Sequence, residues 1–259
     1  MAHAPLSPSA AHRWVHCPGS ILAEAPYPDH ENKFMLEGTQ GHELLENCIL
    51  QGKDASELAE DCHKPDMVEA VQYTLDIVRS WEALPGFREI RAESRVSCEE
   101  LLDAPVWGTA DIVGVFDDHI KIADFKGGQG HQVEAVNNEQ LEIYVLAVMG
   151  REELYKNSGV PHFLHIPPLA AEGIIIQPRG TGSKMRTTFL DNPTMLELVE
   201  KYRAAAKAAL SPKAERVAGE KQCKFCKAKA DCPTLKQSMA ISTEALPLEG
   251  DSMNLPADP

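Results

Sequence analysis

The sequence lacks any run of apolar residues that approaches the ~20 needed to cross a bilayer. Its first residues also lack the apolar segment of a secretory signal peptide. We therefore expect a cytoplasmic protein with no membrane partner. Disulfides are rare in that compartment, so we expect the seven cysteines to be metal ligands, nucleophiles or core thiols.

Basic residues are scarce, with 25 Lys and Arg against 39 Asp and Glu and a net charge of −14. This balance argues against a surface that is cationic all round, as a nucleic-acid partner would favour. The shortage is uneven, because residues 200–236 hold ten basic and four acidic residues, a local net charge of +6. This segment predicts local anion binding. A solvated, lysine-rich helix face is the alternative.

The hydrophobic pattern predicts an α/β (α+β) domain in which helices flank a central sheet. The predicted helices lie near 7–16, 38–50, 66–82, 137–150 and 192–210, and the predicted strands at 89–97, 106–116, 119–126, 162–166 and 173–177. We expect an N-terminal segment, a core, a C-terminal helix with a cysteine-rich segment, and an acidic disordered tail. Their bounds are 1–37, 38–190, 191–239 and 240–259.

Two aspartates are predicted to oppose each other on neighbouring strands. If Asp117-Asp118 is a two-residue hairpin loop, Asp111 lies across from Asp124, with Cβ atoms ~4.5–5.5 Å apart. Like charges repel there, and a divalent cation that suits carboxylate oxygens, Mg²⁺ or Mn²⁺, would remove that penalty. Lys126 projects from the same face as Asp124. The alternative is an exposed hairpin, since a one-residue slip would separate the aspartates.

Three further side chains accompany this pair. His42 shares a helix face with apolar residues, so it is either a metal ligand or a core histidine. Gln140 and Tyr144 are one helical turn apart on the helix that follows the strand of Asp124. They are either part of the same site or an ordinary first-turn residue and a core tyrosine.

The order of these elements resembles that of the RecB-like branch of the PD-(D/E)xK nucleases. The matching residues are His42, "GTADIV" with Asp111, "DFK" with Asp124 and Lys126, and "QLEIY" with Gln140 and Tyr144. The resemblance spans most of the chain and is greatest to phage-encoded exonucleases of recombination or DNA processing. Thr-Ala-Asp replaces the nominal Pro-Asp of the family at Asp111.

The resemblance implies a restriction-endonuclease-like core and a catalytic role for each matched residue. His42, Asp111, Asp124 and the backbone carbonyl of Phe125 would hold Mg²⁺ or Mn²⁺. Lys126 would position the attacking water and stabilise negative charge, and Gln140 and Tyr144 would orient DNA or the catalytic groups. The expected enzyme is a DNA exonuclease rather than an endonuclease, in the bacterial host cytoplasm, with a single-strand annealing protein as a further partner.

A basic cluster lies further along the chain, in a stretch that contains Gly and Ser. We expect Arg179, Lys184 and Arg186 to contact phosphates. The alternative is that they only make a loop soluble.

Three cysteines form a compact motif, Cys223-x2-Cys226-x5-Cys232, that lacks a fourth ligand. The candidates for that ligand are Cys17, Cys48, Cys62 and Cys98. Four thiolates hold either zinc or a [4Fe–4S] cluster. Iron–sulfur members of the resembled family place one cysteine before the nuclease core and three after it, which implies Cys17 and a [4Fe–4S] cluster. Either metal would join the two ends of the chain.

Two rival functions remain open at this stage. A non-catalytic DNA-binding or assembly module could keep the same fold, with a structural zinc or iron–sulfur site. An intact set of opposed carboxylates argues against it, because a pure binder has no need of them. A zinc-dependent hydrolase of a small substrate would need more histidine ligands than the sequence offers.

Overall fold

A computed structural model describes residues 4–28, 33–150 and 170–244 of the chain. It contains a sheet with helices on both faces, which confirms the predicted fold class. The helices in the described part are α1 Ala11–Trp14, α2 Ser20–Glu24, α3 Lys33–Gln51, α4 Ala55–Leu58, α5 Pro65–Ser80, α6 Glu99–Leu102, α7 Glu139–Met149, α8 Asn192–Ala209, α9 Glu220–Cys223 and α10 Pro233–Glu244. None of them is long and apolar enough to span a membrane.

Five strands form one mixed sheet in the order β1-β2-β3-β4-β5. Their bounds are β1 Phe87–Ser97, β2 Trp107–Phe116, β3 His119–Phe125, β4 Ala170–Ile176 and β5 Met185–Leu190. All neighbouring pairs are antiparallel except β3 and β4, which run parallel. Parallel neighbours need a long crossover connection, and α7 lies in the stretch that joins this pair.

The sheet separates two hydrophobic cores, because alternate side chains of a strand point to opposite faces. On one face, Ile120 and Ile122 of β3 pack in the cluster that contains α7 and α8. On the other face, Ala123 and Phe125 pack in the cluster that contains α3 and α5. Asp124 therefore points toward α7, while its neighbour Phe125 points toward α3.

Helices α7 and α8 begin close to their predicted starts, whereas α3 begins at Lys33, before the predicted residue 38. Asn138 accepts a hydrogen bond from the backbone N–H of Leu141 (3.1 Å) at the start of α7. Asp191 does the same for Thr194 (2.9 Å) at the start of α8. Side-chain acceptors of this kind satisfy backbone donors that the first turn of a helix leaves free, so both helix starts are specified locally.

Two predictions of secondary structure change. The segment that carries Lys184 and Arg186 is partly strand, because β5 begins at Met185 where a loop was expected. Helix α10 extends to Glu244, so residues 240–244 do not belong to a disordered tail. The strand predicted at 162–166 lies outside the described residues.

The two ends of the described chain pack against each other through a group of contacts that we call the terminal clasp. Its members are Arg13, Glu24 and Tyr27 on the N-terminal side and Phe225, Lys227 and Asp231 on the C-terminal side. Arg13 donates to the Phe225 carbonyl (3.2 Å), Tyr27 donates to Asp231 (2.8 Å), and Glu24 accepts from the Lys227 backbone N–H (2.8 Å). These bonds join residues about two hundred positions apart, so contacts between protein groups already bring the two ends of the described chain together.

Candidate metal and catalytic centre

Three neighbouring strands bring carboxylates into one row across the sheet. The register of β2 with β3 pairs Ile112 with Ala123, as the two-residue hairpin predicts, and the same register places Asp111 across from Asp124. On the other side, Ala92 pairs with Ile112 and Ser94 with Ala110, which places Glu93 across from Asp111. Acidic side chains directly opposed on neighbouring strands repel one another, so this row needs compensating positive charge.

Asp111 is fixed at the end of the hairpin by a backbone contact. Its Oδ2 atom accepts a hydrogen bond from the N–H of Phe125 (2.8 Å), just beyond the last ladder pair of β2 and β3. The neighbouring N–H of Lys126 donates to the Ile176 carbonyl of β4 (2.8 Å). Both bonds hold the segment Asp124–Lys126 in a defined position, which is what a reaction centre requires.

Glu93 is the acidic residue that the sequence analysis missed. One ligand atom from each of His42, Glu93 and Asp111 lies within 4.8 Å of the other two. Glu93 also has a backbone φ of +42°, an unusual value for a residue with a side chain and one that is often found at functional sites.

His42 reaches this row from α3, on the other side of the hairpin. Its Nδ1 atom lies 3.5 Å from both Glu93 Oε1 and Asp111 Oδ2, and its ring packs edge-on against Phe125 with centroids 5.4 Å apart. Gly41 precedes it, and a Cβ atom there would meet the Met67 sulfur of α5 at 2.7 Å. The missing side chain of Gly41 thus lets α3 approach α5 closely enough to present His42.

Lys126 is placed by groups from β3 and α7. Its Nζ atom lies 2.8 Å from Asp124 Oδ2 and donates to Gln140 Oε1 (3.1 Å). Gln140 in turn donates to the Tyr144 hydroxyl (3.4 Å). Apart from the ion pair with Lys126, the buried Asp124 Oδ2 atom has no hydrogen-bond partner among the described residues. The structure therefore brings together His42, Asp111, Asp124, Lys126, Gln140 and Tyr144.

The electrostatics of the row follow from crowded carboxylates in a poorly solvated place. Burial raises the pKa of Asp111 to about 7, and the Asp124 charge adds to this. Burial alone would lower the pKa of His42, but the carboxylates of Asp111, Glu93 and Asp124 raise it to about 9. Burial also opposes the charge of Lys126, yet Asp124 and Asp111 raise its pKa. When all three acids are ionised, they outnumber the two cations, and a divalent cation could offset the remaining negative charge.

The three predicted DNA-contacting residues all have partners within the protein. Arg179 is only 8% exposed, pairs with Glu37 and Asp66 (2.7 and 2.8 Å), and donates to the Gly127 carbonyl (2.7 Å). Arg186 donates to the Val133 carbonyl (2.6 Å) and to Gln177 (2.8 Å). Lys184 lies over the Tyr73 ring, 4.9 Å from its centroid. Phosphate contact by these residues stays a prediction.

The four predicted cluster cysteines lie at the terminal clasp. Cys17 Sγ accepts a hydrogen bond from the Val217 N–H (3.3 Å), and Cys223 Sγ accepts one from the Gly219 N–H (3.4 Å). Burial raises the pKa of the Cys17 thiol, and the charges of Cys223 and Cys232 raise it further, so these sulfurs are electrostatic neighbours. Cys48 and Cys98 are buried elsewhere in the two cores, and Cys62 is exposed.

Comparison with known proteins gives weak structural likenesses and one family. The crystal structure of SSO0001 is 12% identical, with 89% of this chain and 86% of that chain covered and a TM-score of 0.42. A crystal structure from Eubacterium rectale, named "Putative exonuclease", is 12% identical, with 94% and 93% covered and a TM-score of 0.45. The sequence profile described as "Protein of unknown function (DUF2800)" matches residues 3–249. The chain therefore belongs to the DUF2800 family.

Proposed function

We propose that the protein is a metal-dependent deoxyribonuclease that hydrolyses phosphodiester bonds of DNA, acting as an exonuclease in recombination or DNA processing. The observation that carries this proposal is the row of Glu93, Asp111 and Asp124 with His42 at one side and Lys126 at the other. A purely structural hairpin has no reason to oppose acidic side chains at a half-buried place, since they repel one another. A site for a divalent cation does have such a reason, because the cation offsets that repulsion.

The donor set fits Mg²⁺ or Mn²⁺. Carboxylate oxygens suit both ions, and an imidazole nitrogen suits Mn²⁺ in addition. We propose His42, Glu93 and Asp111 as the nearest set of ligands, with Asp124 and the Phe125 carbonyl completing the site. A bound divalent cation would neutralise charge on a phosphate and lower the pKa of a water molecule.

The protein's own groups would act on the phosphate and the nucleophile. Lys126 keeps its positive charge, because Asp124 and Asp111 raise its pKa, so it can stabilise negative charge that develops on the phosphate. Gln140 receives a hydrogen bond from Lys126 and donates one to Tyr144, and thereby limits the directions in which the ammonium group can point. Preorganised donors of this kind contribute because they need no rearrangement during the reaction.

We also propose that Cys17, Cys223, Cys226 and Cys232 hold a [4Fe–4S] cluster. Backbone N–H groups directed at Cys17 and Cys223 suit cluster ligands, whose sulfurs usually accept such bonds. One cysteine before the sheet core and three after it is also the layout of the iron–sulfur members of the resembled nuclease family, which supports the cluster over zinc.

Digestion of end-labelled DNA tests the nuclease. Single- and double-stranded substrates are incubated with Mg²⁺ or Mn²⁺, and wild type is compared with Lys126→Ala and with Lys207→Ala, a matched control at an exposed position of α8. We expect mononucleotides or short products from wild type and Lys207→Ala, and a loss of at least ~100-fold in Lys126→Ala. If all three proteins leave both substrates intact, or Lys126→Ala cleaves as wild type does, the proposal is wrong.

A further inference from the structure

A groove leads away from the candidate reaction centre toward the terminal clasp. It has a volume of about 770 Å³, and Lys126 and Gln140 line the end nearest the carboxylate row. Its other end is formed by His12 of α1 and by Lys224 and Phe225 of the cysteine-rich segment. One continuous cleft thus joins the candidate reaction centre to the clasp, although the proposed nuclease reaction involves only the end that Lys126 and Gln140 line.

The far end of the groove presents an aromatic side chain in a fixed position. The Phe225 side chain is 67% exposed, yet its backbone carbonyl is held by Arg13 (3.2 Å). The Lys224 ammonium lies 5.3 Å from the centroid of the Phe225 ring. An exposed aromatic face on an anchored backbone, beside a lysine, combines the two features that hold single-stranded nucleic acids: base stacking and phosphate attraction.

Two further observations indicate that the groove accepts a ligand with polar and apolar parts. The His12 Nε2 atom is buried and has no hydrogen-bond partner within the described chain, and His12 lines the groove. Buried polar atoms normally have a partner, so an unpartnered one in a groove wall suits a bound molecule. Val136, which also lines the groove, is 59% exposed and adds an apolar surface for the face or edge of a base.

The charges that line the groove are mixed. Lys221 pairs with Glu139 (2.6 and 2.7 Å) and Lys126 with Asp124 (2.8 Å), and Glu134 and Glu220 add negative charge. Lys224 is then the lining lysine with no ion pair among the described residues, and it is the cation directed at a ligand. A duplex is bound chiefly through many phosphate contacts, which such a lining cannot supply. Cavities of about 300–1,000 Å³ enclose one drug-sized ligand, so this groove has room for roughly one or two nucleotides.

We propose that this groove binds a single strand of DNA next to the reaction centre, with a base stacked on Phe225 and a phosphate beside Lys224. The inference rests on the proposed nuclease function and assigns its substrate as single-stranded. The cysteine-rich segment then has a direct role in substrate binding in addition to joining the chain ends. Stacking carries most of the affinity, so the salt dependence of binding is shallow.

Binding of labelled oligothymidine tests the groove. Fluorescence anisotropy is measured with an oligomer of roughly 12 nucleotides and with a blunt duplex of equal length, in EDTA so that no cleavage occurs. Wild type is compared with Phe225→Ala, Phe225→Trp and Lys224→Gln. The matched controls are Phe189→Ala, whose ring is 69% exposed on β5, and Lys207→Gln.

We expect Phe225→Ala to weaken single-strand binding roughly tenfold, the loss of about one base–aromatic stack, and Phe225→Trp to restore it. Lys224→Gln should lower the slope of log affinity against log salt by roughly 0.7, the value for one single-strand phosphate contact. Both control variants should bind as wild type does. In cleavage assays Phe225→Ala should raise KM and leave kcat nearly unchanged, because Phe225 does not reach the carboxylate row.

The outcomes separate this inference from the nuclease proposal. If Phe225→Ala and Lys224→Gln bind oligothymidine as wild type does, the groove assignment is wrong, even when wild type digests DNA. If both variants lose binding to the duplex by the same factor as to the single strand, the single-strand assignment is wrong. If groove-dependent binding is found but Mg²⁺ and Mn²⁺ support no cleavage, the groove remains and the nuclease proposal is refuted.

Discussion

The Asp111 carboxylate accepts a hydrogen bond from the backbone N–H of Phe125, with 2.8 Å between the oxygen and the nitrogen. Phe125 directly follows Asp124, so this single contact fixes the distance between the two strands that carry the opposed aspartates. The same oxygen, Oδ2, lies 3.5 Å from His42 Nδ1, so the contact also holds the Asp111 carboxylate beside His42. One side chain therefore serves both to close the hairpin and to form the centre of the candidate metal site.

Asp111→Asn should abolish DNA cleavage without unfolding the protein. The amide oxygen of Asn can still accept the Phe125 N–H, while the loss of charge removes a metal ligand and a repulsion with Asp124. Because burial raises the pKa of Asp111 to about 7, its ionised form is unfavourable in the metal-free fold. We expect at least a ~100-fold loss of cleavage and a melting temperature without metal that is equal to or higher than that of wild type.

Digestion assays and thermal melts in EDTA check this expectation, with Asp61→Asn at an exposed position as the control. Asp124→Asn should also abolish cleavage while DNA binding is largely kept. Normal turnover by either variant would remove the site assignment. A large drop in the melting temperature of Asp111→Asn would show that its charge, rather than its hydrogen bond, stabilises the hairpin.

Glu93→Gln should weaken metal binding and raise the Mg²⁺ or Mn²⁺ concentration needed for activity. The glutamine keeps the size of the side chain but loses the charge that faces His42 and Asp111. We expect about a tenfold or greater loss of Mn²⁺ affinity by calorimetric titration. Glu89→Gln on the same strand is the control, since Glu89 pairs with Arg91 at an exposed position. Equal Mn²⁺ affinities in the two variants would exclude Glu93 from the site.

The comparison of Glu93 with Asp111 shows what the sequence could and could not predict. The β2–β3 register followed from local information, because a two-residue loop between two strands with apolar alternation allows few pairings. The pairing of β1 with β2 spans the short helix α6 and a connection of irregular length, so no turn rule specifies it. Glu93 depends on that pairing, which is why its place beside Asp111 emerges only from the fold.

Arg179 illustrates a second limit of sequence reasoning. A basic residue among Gly and Ser suggests a solvent-exposed phosphate contact, yet its guanidinium group is nearly buried between Glu37, Asp66 and the Gly127 carbonyl. Those partners come from α3, α5 and the loop after β3, and no local pattern connects them. By contrast, the Gln140–Tyr144 spacing is a local feature, and it was visible in the sequence.

Arg179→Met should lower both stability and catalytic rate. Removing the guanidinium group takes away the ion pair of Arg179 with Glu37 and the hydrogen bond to the Gly127 carbonyl. Gly127 directly follows Lys126, so the change also loosens the segment that carries this lysine. Because Asp66 is about half exposed, we expect a cost of about 2 kcal/mol, below the usual range for a fully buried pair. This corresponds to roughly 4–8 °C in melting temperature.

A salt titration of DNA binding separates this structural role from the predicted phosphate contact. If Arg179 acts only within the protein, the salt slope of Arg179→Met equals that of wild type, whereas a lost phosphate contact lowers it by roughly 0.7–0.9. Arg88→Met is the matched control, since the Arg88 side chain is 63% exposed. A variant with unchanged stability and a reduced slope would favour the predicted phosphate contact.

Glu139 should make the contact of α7 with Lys221 and His16 sensitive to acid. Burial alone would raise its pKa, but Lys221 and His16 outweigh burial and hold the pKa below the ordinary value of 4.5. The contribution to stability is therefore complete above that ordinary value and is lost as the pH falls through the lower, folded-state pKa. Glu139→Gln should lower the melting temperature at neutral pH by roughly 5 °C, and the difference should vanish in acid.

Thermal melts of both proteins across the acidic range check this sign. Glu197→Gln, on an exposed part of α8, serves as the control and should follow wild type at every pH. A difference between Glu139→Gln and wild type that grows as the pH falls would contradict the assignment, because it would require a pKa raised by folding.

The cysteines at the clasp give the final prediction, which distinguishes iron–sulfur from zinc. Thiolate-bound iron–sulfur clusters absorb visible light, whereas d¹⁰ Zn²⁺ has no such band. Protein purified without oxygen should be brown and contain about four iron and four sulfide ions per chain. Replacing Cys17, Cys223, Cys226 or Cys232 by Ser should bleach the colour and lower the melting temperature, because the chain ends lose a covalent link.

Cys62→Ser is the matched control, because Cys62 is exposed and distant in sequence from the clasp cysteines. It should keep both the colour and the melting temperature of wild type. A colourless protein with one zinc and no iron would overturn the cluster and leave the carboxylate row untouched. Loss of colour in Cys62→Ser but not in Cys17→Ser would mean that a different cysteine is the fourth ligand, and the Val217 hydrogen bond to Cys17 would then need another explanation.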